Sequence, residues 1–542
     1  MSDKRYLGNI ITDSPTEPDG NYGSSAAKGV WSLEEQLAYQ KAGLWPVPGN
    51  FPLDIDAVFS TYLYTGNGST QTITNGIDLD GEGGMVWLKP RNAGSNHALV
   101  DTERGGANSI ASDTTAAQRT DGAYGLTFNS NGFDSTGGNL NVNGREQASW
   151  TFRKAPKFFD VQTFTGDGID DRVLSHDLGA TPGMVIIKRT SSGTVAQGAW
   201  FTYHIGYGFG GSLSLNSSDP AGYTFASPIT AASGTTITIN NPANNGNVNA
   251  SGETYVAYLF AHNDGDGDFG PDGDADVIKC GSYTGNGSSG GNSVSLGWEP
   301  QFVIIKNTSA SADWVMFDAQ RGVATGGTAA DDKYLFPNGS NSEGGGIPID
   351  FTSTGFEVFD TSTRTNSSGN NFIYIAIRRG PLAVPEDATK VFAVDALQSP
   401  STTPAFQSGF PVDLAIVRNV STTYNWYVKD RLRGTPNLQT NLTSAEVSWF
   451  SNADFDYMDG WYDTGANTSF YSWMWKRAPG YFDMVAYTGN STAGRTVSHN
   501  LTVAPEMMWI KRRSAAENWA VYHSALGNNK VILLQSTGAA YT

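Results

Sequence analysis

The chain has 542 residues, which is too many for one hydrophobic core of ordinary size, so several domains are expected. Charged residues make up only 16%, and 64 glycines with 12% aromatic residues favour many short strands joined by tight turns. The net charge of −18 disfavours nucleic acid or an anionic membrane as the main partner, because either would repel the chain. No apolar run is long enough to insert into a membrane, and the single Cys280 excludes an intrachain disulfide.

The segment 1–55 differs from the rest of the chain. Residues 29–43 predict one short helix, with Ser32 and Glu35 as a capping box and Gly43 as its C-terminal stop. The segment is too short to form a core of its own, so we expect it to pack against another protein or another copy of this chain. Its start lacks the apolar stretch of a signal peptide, which favours a protein made in the cytoplasm and released inside a virus particle.

The rest of the chain consists of repeats of roughly 100 residues, the size of a β-sandwich. The sequence therefore predicts an all-β protein of tandem β-sandwich repeats, each with its own core, after a short N-terminal segment with one helix. We number the repeats as units one to five. They are predicted at 56–160, 161–276, 277–388, 389–483 and 484–542, the last being incomplete.

Two strands recur in every unit at nearly constant spacing. The cation strand ends in a basic residue: Lys89, Lys188, Lys306, Arg418 or Lys511. The aspartate strand ends in an acid or a histidine: Asp101, His204, Asp318, Asp430 or His523. The offset between these residues is 12 in four units and 16 in unit two, which predicts an antiparallel hairpin with a short polar loop.

Aromatic residues mark two further positions. Four residues before the acid or histidine stands an aromatic residue: His97, Trp200, Trp314, Trp426 or Trp519. An aromatic closing strand ends each of units one to four, near Trp150, Tyr258, Tyr374 and Trp473. The tryptophans of the aspartate strands could stack on sugar rings, but their apolar neighbours favour core packing.

A longer period relates whole units. The same separation of 323 residues relates Trp150 to Trp473, His176 to His499 and Lys188 to Lys511, so units one and four are siblings, and so are units two and five. Unit three has no sibling, and we therefore expect the natural chain to continue beyond Thr542.

Two local patterns are candidate sites. The acidic run after His262 contains six aspartates whose carboxylates could hold calcium, with a solvated linker as the alternative. These are Asp264, Asp266, Asp268, Asp272, Asp274 and Asp276. The motif Asp-x-x-Arg-Gly occurs at Asp101, Asp318 and Asp430. It could bind a sugar, but a salt bridge at the end of the strand is favoured. Units two and five carry histidine in place of the aspartate, which argues against one shared binding chemistry. No catalytic triad, zinc spacing or phosphate-binding loop is present in the sequence.

Several segments resemble repeats in virion structural proteins of tailed phages of marine bacteria. They are the Tyr-Thr-Gly-Asn-Gly opening at 283–287, the strand at 178–188 and the acidic run at 263–273. Residues 29–36, followed by 42–46, resemble a recurrent segment of phage tail-fibre and appendage proteins. The resemblance implies a component of a bacteriophage particle; unit four, which lacks the glycine opening, departs from it.

These observations lead to three hypotheses. The first is a tail fibre or comparable appendage whose N-terminal segment 1–55 binds other virion proteins and whose units form a shaft, as a trimer, for attachment to a host surface glycan. The second is an array of carbohydrate-binding modules or another decoration protein of the virion surface. The third is a depolymerising tailspike enzyme, which the absence of a recurrent acidic pair in the sequence disfavours.

Overall fold

The computed structural model describes residues 31–41, 52–192, 198–211, 213–222, 228–240, 248–326, 332–397, 403–447, 453–463 and 469–542. Within them the protein is all-β and consists of tandem β-sandwich units, which confirms the predicted fold class. Its strands pair antiparallel throughout the named sheets. No helix in this part of the chain is long and apolar enough to cross a membrane.

The predicted N-terminal helix is present over Leu33–Lys41. The Glu35 carboxylate accepts a hydrogen bond from the backbone N–H of Ser32 at 2.8 Å, so the capping box forms as predicted. The rest of the predicted helix, before residue 31 and after residue 41, lies outside the described residues.

Each of units one to four has a four-stranded main sheet in the order opening, closing, cation and aspartate strand. In unit one these strands are Phe59–Thr65, Glu146–Arg153, Gly84–Pro90 and Ala98–Asp101. In unit two they are Phe159–Thr165, Thr254–Phe260, Met184–Arg189 and Trp200–His204, extended by Leu213–Ser214. In unit three they are Ile278–Thr284, Asn371–Arg378, Pro300–Asn307 and Val315–Asp318. In unit four they are Phe392–Ala396, Phe470–Trp475, Leu414–Asn419 and Tyr427–Asp430, extended by Gly434–Gln439.

A second, three-stranded sheet completes each of these four sandwiches. Its strands in units one and two are Gln71–Thr74, Leu126–Asn129, Gly132–Ser135, Arg172–Ser175, Ile229–Ala232 and Thr236–Ile239. In units three and four they are Asn292–Ser295, Ile349–Thr352, Gly355–Val358, Phe406–Gln407, Ala453–Asp454 and Gly460–Asp463. Unit three adds the pair Lys333–Tyr334 and Gly344–Gly345, and unit five has Met507–Ile510, Ala520–His523 and Ile532–Leu533. Short 3-10 helices lie at Ile55–Ala57, Gly138–Leu140, Gly208–Gly210, Ala388–Lys390 and Ser524–Leu526.

The predicted hairpin is present in all five units, in one register. In each cation strand, the residue four positions before the cation pairs with the acid or histidine that ends the aspartate strand. The pairs are Met85 with Asp101, Met184 with His204, Phe302 with Asp318, Leu414 with Asp430 and Met507 with His523. A single rule of pairing therefore underlies the repeated spacing in the sequence.

The main sheet of unit one has a core on each side. Val86 and Leu88 face the second sheet of their own unit, whereas Met85 and Trp87 belong to a cluster that includes Phe302 of unit three and residues of unit two. Because both faces are covered, every residue of this cation strand is buried. The expectation that each unit has only its own core is therefore incomplete, and the shared core brings units one, two and three together instead of placing them in a row.

Candidate functional site: the joints between units

The acid that ends an aspartate strand lies at a contact between two units, which we name a joint. The Asp101 carboxylate of unit one accepts a hydrogen bond from the Tyr258 hydroxyl of unit two at 2.7 Å. The Asp318 carboxylate of unit three accepts one from the indole N–H of Trp150 in unit one at 3.0 Å. The closing strand of one unit thus reaches the acid of another.

A histidine performs this role in unit two. The His204 ring accepts a hydrogen bond from the Gly206 amide at Nδ1, 3.0 Å away, so its other nitrogen carries the proton and donates to the carbonyl oxygen of Tyr374 in unit three, also at 3.0 Å. Burial lowers the pKa of His204 to about 4, which keeps the ring neutral. Unit two therefore receives the closing strand of unit three through an imidazole instead of a carboxylate.

The predicted strand-end salt bridge forms next to these contacts. Arg321 Nε lies 2.5 Å from the Asp318 carboxylate, and its guanidinium lies over the Trp150 ring, 5.3 Å from the centroid. The same pair recurs at Asp101–Arg104 and Asp430–Arg433. Asp318 and Arg321 are buried, so the placement of this pair favours a structural role over a sugar site.

The repeated aromatic residue points its ring N–H at a backbone carbonyl of the neighbouring unit. The pairs are Trp200–Ala111 (3.0 Å), Trp314–Ser214 (3.1 Å), Trp519–Gln439 (2.8 Å) and His97–Phe336 (2.9 Å). The prediction that these tryptophans pack in a core is confirmed for Trp200, Trp314 and Trp519, but the packing is between units. His97 acts as a neutral donor because its Nδ1 accepts from Trp87, and burial lowers its pKa to about 3.

The repeated lysine reaches a second carbonyl of the same neighbour. The pairs are Lys89–Ser340 (3.5 Å), Lys188–Thr115 (3.1 Å), Lys306–Ser218 (2.9 Å) and Lys511–Thr443 (3.3 Å). In units one to three the ammonium is buried, which lowers the pKa of Lys188 to about 7 and those of Lys89 and Lys306 to about 8. The cation that ends the strand is therefore a joint residue.

A backbone hydrogen bond completes the joint. An amide of the neighbouring unit donates to the carbonyl two residues after the cation. The pairs are Gln118–Thr190 (3.0 Å), Ala221–Thr308 (3.1 Å), Glu343–Arg91 (2.7 Å) and Glu446–Arg513 (2.9 Å).

The partners of these three contacts lie in one segment of each neighbour, which we name the acceptor loop. The carbonyl of its first residue accepts the ring N–H of the aromatic residue. The carbonyl four positions later accepts a hydrogen bond from the cation, and the amide seven positions later donates to the backbone carbonyl. The acceptor loops span 111–118, 214–221, 336–343 and 439–446. Since the spacing is the same in all four, the joints are copies of one interface.

The joints have a direction, and in the first three units they close. Unit two binds the acceptor loop of unit one, unit three that of unit two, and unit one that of unit three. Units one to three therefore form a closed three-membered ring. Unit five binds the acceptor loop of unit four, and the described residues of these two units form a pair with a single joint of this type.

Buried ion pairs connect the ring with unit four. Arg91 of unit one lies 2.9 Å from Glu343 of unit three and also contacts Asp456 of unit four. Arg477 of unit four lies 2.6 Å from Glu299 of unit three. Both arginines and Glu299 are largely removed from water, so these pairs fix unit four on the ring.

The acidic run folds into a loop whose carboxylates have separate partners. Asp264 pairs with Lys279 at 3.1 Å and Asp268 with Lys157 at 2.8 Å. Asp276 accepts hydrogen bonds from the backbone amides of Gly265 and Gly267, and Asp266 accepts from the amide of Asp264. Asp272 and Asp274 are exposed. In the described ranges no group of three or more His, Cys, Asp or Glu side chains is placed to hold a metal ion.

This loop also holds the segment that precedes unit one. Leu53 forms a parallel bridge with the buried Phe269, and the Gly270 amide donates to the Leu53 carbonyl at 2.9 Å. Asp54 accepts hydrogen bonds from the backbone amides of Leu382 and Ala383 at the end of unit three. The loop therefore contributes to the packing of residues 53–54 near the ring.

Sequence reasoning located the side chains of the joints but not their acceptors. The acceptor loops contribute backbone carbonyls, which leave little trace in residue type. A usable signal was that the cation and the aromatic residue keep a spacing of eight residues in four units that differ elsewhere, with four more residues in unit two.

The fold and the joints define a tandem array of β-sandwich units that bind one another in a fixed direction. Compared with protein families, the chain matches a domain of unknown function, DUF7483, over residues 56–381 and 408–542. This match covers most of the chain, and the chain therefore belongs to that family. A search of curated proteins found no match.

Proposed function

We propose that the chain is a structural component of a phage virion, a tail fibre or comparable appendage involved in host attachment. The observation that carries this proposal is that the acid, aromatic and cationic residues that recur in the sequence serve as joint residues. A protein that uses its recurrent polar groups to hold its units together is suited to a structural role. The motifs at 283–287 and 263–273, which resemble virion proteins of tailed phages, support the same role.

We further propose that the chain is not an enzyme. The carboxylates and imidazoles that might act on a substrate, such as Asp101, Asp318, His97 and His204, are buried between units and hydrogen-bonded there. A general acid or base must reach its substrate, which these groups do not do in the closed ring.

Attachment to the particle is assigned to residues 1–55, and the assembled form is proposed to be a trimer. In the described part of that segment, the helix Leu33–Lys41 leaves Leu33 84% and Leu37 49% exposed. Apolar side chains exposed on one short helix support its use as a contact with another virion protein or another copy. The three-membered ring is formed within one chain and is separate from this trimer.

The test is to locate the chain in purified virions. Particles should carry it at one defined position by cryo-electron microscopy and by labelling with antibodies against residues 56–542. Deletion of residues 1–51, which keeps Leu53, Asp54 and the buried Ile55 in place, should abolish incorporation, while the units stay folded by circular dichroism. A chain that is present in the lysate but missing from purified particles would overturn the proposal. Binding of the chain to host polysaccharide but not to particles would favour the array of carbohydrate-binding modules.

A further inference from the structure

Units four and five repeat one of the joints of the ring. Trp519 and Lys511 of unit five bind Gln439 and Thr443 of unit four, as Trp200 and Lys188 of unit two bind unit one. An apolar cluster lies at this joint and contains Ile416, Val428, Leu438 and Trp519. Unit five is therefore placed against unit four as unit two is placed against unit one.

On the opposite side of unit four, the described part of the chain places no such neighbour. In unit one the equivalent residues, Lys89 and His97, are buried and bind the acceptor loop of unit three. In unit four Arg418 and Trp426 are only half-buried, and Val420, whose carbonyl corresponds to that of Arg91, is 56% exposed. None of the described residues of another unit forms the corresponding hydrogen bonds with this side of unit four.

The closing strands show the same difference. Tyr471 pairs with Arg418 as Ala148 pairs with Lys89, so Tyr471 and Ala148 occupy equivalent positions. Ala148 is fully buried in the ring, whereas Tyr471 is 40% exposed. An apolar face that the ring covers in unit one is therefore open in unit four.

Unit five has an open acceptor loop. Leu533 pairs with Ala520 as Ser214 pairs with Phe201, which makes residues 533–540 the equivalent of the acceptor loop 214–221. Thr537 and Ala540, which correspond to the lysine acceptor and the amide donor, are exposed. The pair thus presents an unused donor side on unit four and an unused acceptor loop on unit five.

We propose that one further β-sandwich unit with the joint residues of unit three binds between units five and four and closes a second three-membered ring. It presents a lysine and a tryptophan to residues 533–540, and an acceptor loop to Arg418 and Trp426. It also presents an Asp-x-x-Arg pair to Trp473, as unit three presents Asp318 and Arg321 to Trp150.

A second copy of this chain has no unit that could close a three-membered ring with units four and five. Each of units one to three already uses its donor side and its acceptor loop within the ring. Unit four uses its acceptor loop and unit five its donor side within the pair. Since closing a three-membered ring requires one unit with both sides free, the partner is an additional unit.

The test supplies such a unit and measures whether it covers Tyr471. Ala540 stands at the position of Ala221, and Tyr541-Thr542 aligns with Tyr223-Thr224 of unit two without a counterpart of Gly222, so residues from 225 onwards can follow Thr542 in register. Three proteins are compared, and each carries Cys280→Ala and Tyr471→Cys. The first is the full chain, and the second is the full chain followed by a second copy of 225–276. The third is the full chain followed by a second copy of 225–388, in which Cys280→Ala is also made. The shorter addition supplies the strands that unit two has after residue 225, and the longer one adds unit three.

Maleimide should label the cysteine at position 471 at similar rates in the first two proteins and at least tenfold more slowly in the third. A Gln407→Cys variant, exposed on the second sheet of unit four, should react equally in all three. Equal labelling of position 471 in all three proteins would overturn the proposal. Protection by 225–276 alone would also overturn it, because unit five would then cover the face itself. The proposal would likewise be overturned if position 471 of the unextended chain were protected in a way that depends on protein concentration, since the occupant would then be a second copy.

Discussion

Units one and four are siblings in sequence, but their surroundings differ. Trp150 of unit one is fully buried, whereas Trp473, at the same position in unit four, is half-buried. The same contrast separates His97 from Trp426. Both main sheets are complete, so the difference arises from the neighbouring units and not from the fold of each sandwich. The burial of these residues therefore depends on which other units pack against the unit that contains them.

The number of joints that hold a unit also differs. Each unit of the ring is held by two joints of the repeated type, whereas unit five is held by one, to unit four. When one joint of a closed ring is broken, the other two keep its members close, so the effective concentration of the broken partners stays high. Removing the same contact should therefore separate the units of the pair more readily than the units of the ring.

The largest expected difference is between Trp150→Ala and Trp473→Ala. The first removes a buried indole and its hydrogen bond to Asp318, and it should reduce the free energy of unfolding of the ring by about 4 kcal/mol. The second should cost about 1–2 kcal/mol, because Trp473 is half-buried. Denaturant midpoints, with hydrogen exchange assigning each transition to ring or pair, measure both. A Trp150→Phe control keeps most of the packing and should recover over half of the loss; equal losses for the two alanine variants would contradict the comparison.

Acidification should also weaken the ring more than the pair. Burial lowers the pKa of His97 to about 3 and that of His204 to about 4, both below the ordinary value of about 6.5 in an unfolded chain. The unfolded state then binds more protons, so this stabilisation is complete above about pH 6.5 and is lost as the pH falls towards the folded values. Between pH 7 and pH 5 each histidine should cost about 2 kcal/mol.

The measurement is the denaturant midpoint of the ring at several pH values. Unit four has Trp426 and Asp430 at the equivalent positions, so its transition should depend less on pH over this range. A His97→Gln, His204→Asn variant should be less stable at pH 7 but should lose most of the pH dependence. If the variant keeps the slope of the natural chain, the two histidines are not its cause.

Sequence reasoning predicted the elements of each unit well, because local patterns determine them. The offset of 12 between cation and acid in four units specified the hairpin, and the register places Met85 opposite Asp101 as that offset requires. The salt bridge between Asp318 and Arg321 was also predictable, since three residues separate its partners. The capping box of Ser32 and Glu35 belongs to the same class of local signals.

The arrangement of the units was not predictable in this way. Trp150 and Asp318 are separated by 168 residues, and no local pattern connects them. Their contact depends on the shape of three folded sheets that pack face to face, and on carbonyls of the acceptor loops that any residue type supplies. The expectation of a shaft of units in a row was wrong for units one to three, because a row would keep unit one away from unit three.

A smaller test compares one hydrogen bond in two settings. Trp314→Phe and Trp519→Phe each remove an indole N–H that a carbonyl of the neighbouring unit accepts, and each should cost about 1–2 kcal/mol at its joint. In the ring the remaining joints should hold unit three in place, so hydrogen exchange at residues 300–318 should change little. In the pair, exchange and proteolysis at residues 507–533 should increase several-fold. An equal increase at both joints would mean that closure of the ring gives no protection.

The smallest effect is expected for calcium, and it separates the acidic loop from the joints. Asp264 and Asp268 already pair with Lys279 and Lys157, and Asp276 accepts two backbone amides, so gathering these carboxylates on an ion would break contacts that now hold the loop. Millimolar calcium should therefore shift the thermal midpoint of the chain by less than about 1 °C, whereas Asp276→Ala should lower stability by about 1 kcal/mol through the loss of its two hydrogen bonds. Magnesium at the same ionic strength is the control for general screening. A calcium-specific rise in the midpoint that Asp276→Ala abolishes would show instead that the six aspartates rearrange into a metal site next to the segment at residues 53–54.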